Sequence, residues 1–208
     1  MNEEYLDLND LPRFDTPTEI NPEADAFEKF RPIPDGVWNC VLDYAESDPQ
    51  KRWTRRYDKN GDAYYSTSVV ATVTSGDYAD RKVADRFVST MVFRGTSRVA
   101  GIVKAARGAD VLRGIRSHEQ LVTALDEIIV GHEPVRIQTA WDARYPTGDK
   151  DALGRDVYKR FLHGMKRFPQ TPEGEYEHTV KSPADGSEIT ARAEIEAYLP
   201  PSADNPPW

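Results

Sequence analysis

The chain has 208 residues, 38% of them hydrophobic, a formal charge of −8 and one cysteine, Cys40. That length holds one sizeable domain with extensions, and the modest apolar fraction predicts that part of the chain lies outside the core. One cysteine excludes an intrachain disulfide framework, and no apolar run nears the roughly 20 residues that span a bilayer. The acidic stretch Met1 to Asp15 does not read as a secretory signal, so the expected compartment is a reduced cytoplasm without membrane contact.

Residues 1–35 carry ten acids against three bases and contain Pro12, Pro17, Pro22, Pro32 and Pro34. They read as an acidic, Pro-rich extension, mobile or draped over the domain, with one short helix after an Asn21 N-cap and Pro22. The first predicted strand is Val37–Ala45, where Trp38, Cys40, Leu42 and Tyr44 share a face that makes Trp38 a core residue. The basic stretch Asp48–Asp62 ends in Asn60-Gly61, a hairpin-type turn. A second strand at Ala63–Thr74 and a third at about Arg81–Phe93 flank the turn Ser75-Gly76-Asp77.

The period then changes from 2 to about 3.6. Thr96 or Ser97 caps a helix with Val99, Ile102, Val103 and Ala106 on one side and Gly108 past its end. Ser117 to Gln120 form a capping box for a second helix, striped by Leu121, Val122, Leu125, Ile128 and Ile129 and stopped at Gly131. Strands resume at Pro134–Tyr145 and Val157–Phe168 around the polar loop Pro146–Asp156. Tyr176–Lys181 and Glu188–Leu199 flank Asp185-Gly186 as an added hairpin.

Three strands, one or two helices and two strands predict a mainly β fold, a five-stranded OB-like Greek-key barrel with extended termini. Other small barrels and some α+β sheets share that order. The expected organisation is an extension over 1–35, a nucleic-acid-binding domain over 36–168, the hairpin over 169–199 and a Pro-rich tail over 200–208.

Charge follows this division. Residues 36–168 hold 22 bases against 17 acids, and 169–208 hold eight acids against Lys181 and Arg192. A basic centre between acidic ends fits a polyanion binder, and it also fits a plain solvated surface. The densest segment is Lys51-Arg52-Trp53-Thr54-Arg55-Arg56-Tyr57, in the loop between the first two strands. In an OB-fold that loop contacts nucleic acid; cations supply the phosphate attraction and aromatic faces stack on unpaired bases. Trp53 sits among charges and is expected to be exposed. Tyr64, Arg86, Arg136, Arg144 and Lys159 extend the expected interface across the strands, whereas Trp141, in phase with Val135 and Ile137, is expected in the core. Whether Tyr158 and Arg160 or Lys159 and Phe161 face outward is open from alternation alone.

No two of His118, His132, His163, His178 and Cys40 have zinc-ligand spacing, so no metal site is expected. Asp58 to Asp62 resembles a calcium loop, but Ala63 stands at the sixth position and Val69 at the twelfth, so a turn is the better reading. Phosphate-loop, dinucleotide and nucleophile-elbow patterns are lacking. The chain reads as a binding protein without cofactor, not an enzyme.

The Pro34–Trp38 entry, the run ending in SGDYADRKV, the helical VAGIVKAARG and the closing YKRFLHGMKRF resemble the small phage-encoded single-stranded-DNA-binding proteins over roughly residues 34–168. The resemblance implies an OB-fold that coats transient single strands during DNA replication or recombination, in the host cytoplasm, without cofactor. The end, Ala203 to Trp208, is similar to the acidic tip of bacterial single-stranded-DNA-binding proteins, although only Asp204 is charged and Trp208 replaces the usual Phe. It implies that Pro206, Pro207 and Trp208 dock a replication or recombination protein. The alternative is a structural or interaction protein of a virion or replisome, homo-oligomeric, whose arms wrap a neighbouring subunit.

Overall fold

A computed structural model describes residues 31–92, 95–151 and 154–202, and the described residues from Pro32 onward belong to one compact unit. The predicted helix at 21–30 and the docking residues Pro206, Pro207 and Trp208 lie outside the described residues. The fold is mainly β, with nine strands and few helices among the described residues. In chain order these are β1 (Gly36–Tyr44), β2 (Thr54–Tyr57), β3 (Ala63–Val73), β4 (Lys82–Ser89), α1 (Arg98–Arg107), α2 (Ala109–Leu112), α3 (His118–Val130), β5 (Val135–Lys150), β6 (Asp156–His163), β7 (Thr179–Lys181), β8 (Glu188–Thr190) and β9 (Arg192–Leu199).

Seven of the strands form one antiparallel sheet. β1 serves two partners: its second half pairs with β3 (Tyr44 opposite Val69) and its first half with β5 (Gly36 opposite Thr139). β4 lines the other edge of β3, and β9 the other edge of β5. The path β4–β3–β1–β5–β9 results, with β2 extending β1's edge of β3 and β6 extending β1's edge of β5. No hydrogen-bonded ladder joins β4 to β9 among the described residues, so the sheet is not closed. Side chains bridge them: Asp85 of β4 accepts from Arg98 Nε (2.7 Å) and from the Tyr198 hydroxyl (3.0 Å). Arg98 also donates to the carbonyls of Ile195 and Glu196.

The helices follow their local signals. The Ser97 side chain caps α1 at Ala100 N, and Ser117 with Gln120 forms the full capping box of α3. α1 supplies Val99, Ile102 and Val103, and α3 supplies Leu125 and Ile128, to a core completed by Leu42, Val69, Ala71, Val73, Val83, Val88 and Ile137. Each fully buried Val, Leu or Ile side chain is worth roughly 1.5–3 kcal/mol. A second cluster, Trp141, Ala143, Phe168, Val180 and Ala191, packs on the middle of β5.

Several boundaries differ from the sequence-based expectation: β5 runs on to Lys150 through much of the expected loop Pro146–Asp156, and β6 ends at His163, before Phe168. Ile33 is buried and Asp35 accepts from the Trp141 and Met165 amides (2.7 and 2.6 Å), so the domain starts before residue 36. Glu188–Leu199 is not one strand of an appended hairpin: β8 pairs with β7, but β9 belongs to the main sheet, because Ile195 and Ala193 are packed with its core. Pro200 belongs with it too, since its carbonyl accepts from Arg136 Nε (2.6 Å). Trp141 is buried as expected; Trp38 is half-buried, edge-on to Tyr78. Among the described residues no helix is long and apolar enough to cross a membrane.

Candidate nucleic-acid interface

The segment expected to be a loop contains β2, which pairs with β3 from Thr54 opposite Ser66 to Tyr57 opposite Ala63. The hairpin turns on Asp58, whose carboxylate accepts from the amides of Asn60 and Asp62, while Gly61 takes a positive φ of 86°. Pairing imposes alternation, and alternation splits the basic segment. Thr54 and Arg56 face one side; Arg55 and Tyr57 face the other, with the Arg55 guanidinium 5.5 Å from the Tyr57 ring centre. Tyr64, directly opposite Arg56, shares its face.

On the Arg56 side lies an open groove of about 310 Å3. Lys51, Arg52 and Arg56 line it from the β1–β3 connection, Ser66 and Ser68 from β3, and Arg86 and Phe87 from β4. Glu46 is the one acid among its lining residues. Arg52 lies over the Tyr44 ring at 4.9 Å, and Arg56 Nε donates to Ser66 Oγ at 2.6 Å. Four predicted cations thus line one groove, one of them, Lys51, paired with Asp48 at 3.1 Å on an exposed surface. At 4 Å in surface-like surroundings each attracts a phosphate charge by about 4 kcal/mol before desolvation and salt screening.

A β-bulge shapes the groove. Thr67 pairs with Val88 and Val69 with Asp85, so Arg86 and Phe87 together face the single residue Ser68, whose Oγ donates to the Arg86 carbonyl (2.8 Å). The bulge turns both side chains outward, and Phe87 is 50% exposed. The sequence reading missed Phe87, which strict alternation puts in phase with buried Val83. The signal in the sequence is the pair of valines, Val83 and Val88, an odd number of residues apart, which one regular strand cannot place on the same face.

Trp53 is not an exposed stacking residue. Its indole Nε1 donates to Asp126 Oδ1 of α3 (3.0 Å) and lies 3.2 Å from the Tyr44 hydroxyl, and its ring is half-buried, edge-on to Tyr44. Burial, with Asp126 beside it, pushes the Tyr44 phenol upward.

The other expected contacts do not join the groove. Arg136 is tied to Pro200, and Lys159 is exposed on β6 opposite Tyr145. Arg144 and Arg160 both pair with the buried Asp142 and with Glu194 of β9, so their charge is already compensated. His163 completes this network through Nε2 on Glu196 Oε1 (2.7 Å). Asp142, His163 and Glu194 place one ligand-type atom each within 4.8 Å of one another, but two guanidinium groups already occupy the carboxylates. The arrangement can bind anions at the groove.

No family model, no curated protein and no solved structure matches this chain.

Proposed function

We propose that the chain is a sequence-tolerant single-stranded-DNA-binding protein. The observation that carries this is the groove that Lys51, Arg52, Arg56 and Arg86 line together with the outward ring of Phe87. Cations without a matching set of base-reading amides favour backbone recognition, and an exposed ring favours unpaired bases over a duplex.

We propose further that the path β4–β3–β1–β5–β9 is an OB-like barrel whose fifth strand is β9, with β6 an insertion. Under that assignment the groove lies on the second and third strands beside the first connecting loop, where OB-folds take oligonucleotides. The likeness to phage single-stranded-DNA-binding proteins, a role in replication or recombination and a host-cytoplasmic location go with this proposal.

The test is fluorescence anisotropy with a labelled poly-dT oligonucleotide and a duplex of equal length. The single strand is expected to bind at least tenfold more tightly at moderate salt. The log of affinity should fall linearly with the log of salt by roughly 0.7 per phosphate contacted. Equal affinities, or no binding at low salt, overturn the proposal. The outer part of the β5–β6 arm supports a second role in protein assembly: Lys150–Asp156 and Arg155–Asp151 compensate their own charges there, and Tyr158 is exposed.

A further inference from the structure

The β4 bulge does more than add a cation to the groove. A regular strand in phase with Val83 would bury Phe87; the bulge leaves Val88 buried and turns the ring into the groove beside Arg86. Arg56 lies over that ring, its guanidinium carbon 5.7 Å from the ring centre, while its Nε is held by Ser66 Oγ. A half-exposed phenyl with a long cation over its ring presents a π-face that the cation can leave without disturbing the strand.

We infer that Phe87 is the base-stacking platform of the groove and that Arg56 is its displaceable cover. An unpaired base takes the ring face, and the guanidinium moves from the ring to the adjoining phosphate. The inference rests on the single-strand reading above and assigns the stacking role expected of Trp53 to a different residue on a different strand. It also explains how one groove separates single strands from other polyanions: the cations attract any phosphate chain, and only a free base gains the ring. Losing one base-aromatic stack costs roughly 5- to 150-fold in affinity.

The experiment compares two labelled 12-mers with equal phosphates, one of dT and one an abasic phosphodiester chain. Wild-type protein is expected to favour dT. Phe87→Ala should lose roughly 5- to 150-fold toward dT and stay within twofold toward the abasic chain, which removes the preference. Phe87→Trp should keep the preference, and its added emission should be quenched by dT and not by the abasic chain. Arg56→Ala should weaken dT binding through the lost phosphate contact yet keep the preference for dT, because the ring that carries it stays in place. A Phe87→Ala protein that keeps the preference, or that weakens equally toward both oligomers, overturns the platform and leaves single-strand binding standing. Wild-type protein that binds neither oligomer overturns both.

Discussion

The Trp53 indole donates to Asp126 at 3.0 Å, tying the start of β2 to α3 across 73 residues of sequence. The Tyr44 hydroxyl donates to the same carboxylate oxygen, so one acceptor serves two half-buried donors. Trp53→Ala should therefore lower stability by about 2 kcal/mol, less than a fully buried ring because Trp53 keeps part of its surface in solvent. Asp126→Ala should cost about 1–3 kcal/mol by leaving both donors without their acceptor. Urea denaturation checks both. A Trp53→Ala protein of unchanged stability but weakened DNA binding would return Trp53 to the interface.

Adjacent arginines on β2 should behave differently. Arg56 lines the groove and Arg55 faces away from it. Arg56→Ala is expected to reduce the slope of log affinity against log salt by about 0.7, one phosphate contact on a single strand. Arg55→Ala should leave that slope unchanged. Salt titrations of the two variants decide it, and equal effects would mean that DNA contacts both faces of β2.

Asp35 lies at the end of the stretch expected to be an extension, yet it accepts two backbone amides from distant residues. Hydrogen bonds to a charged acceptor are worth about 1.5–3 kcal/mol each, and the two here share one carboxylate. Asp35→Ala should cost about 2–4 kcal/mol, measured as a shift of the urea midpoint. No change would restore the boundary at residue 36.

Alkaline pH should weaken the fold. Burial pushes the Cys40 thiol up to about 12, and burial with Asp85 alongside raises the Tyr198 phenol well above its ordinary value. Both groups hold their protons longer when folded, so the unfolded chain loses protons first. The Cys40 contribution is complete below about pH 9 and is lost as pH rises from about 9 through about 12, and that of Tyr198 begins to be lost above about pH 10. The urea midpoint should fall between about pH 9 and about pH 11, and less steeply in Cys40→Ala and Tyr198→Phe. A midpoint independent of pH over that range refutes this.

Local signals account for what the residues revealed in advance. Alternation at Val69, Ala71 and Val73, the capping box at Ser117, Asn60-Gly61 and the charge of the central segment each act within a few residues, so composition and spacing determined them. A mainly β chain, its helix positions and the cations Lys51, Arg52, Arg56 and Arg86 were legible for that reason.

Tertiary structure decided the rest. Whether Trp53 stacks on a ligand or anchors a helix depends on Asp126, and whether Arg144 is available depends on Glu194, 50 residues on. Phe87 faces the groove because Val88, one position later, fills the core, a competition that only packing against Thr67 and its neighbours resolves. β9 joins the sheet because β5 has a second edge to fill and Ile195 has a core to enter. Local sequence sets which backbone shape each segment prefers; burial energy, summed over partners far apart in the chain, sets which face each side chain shows.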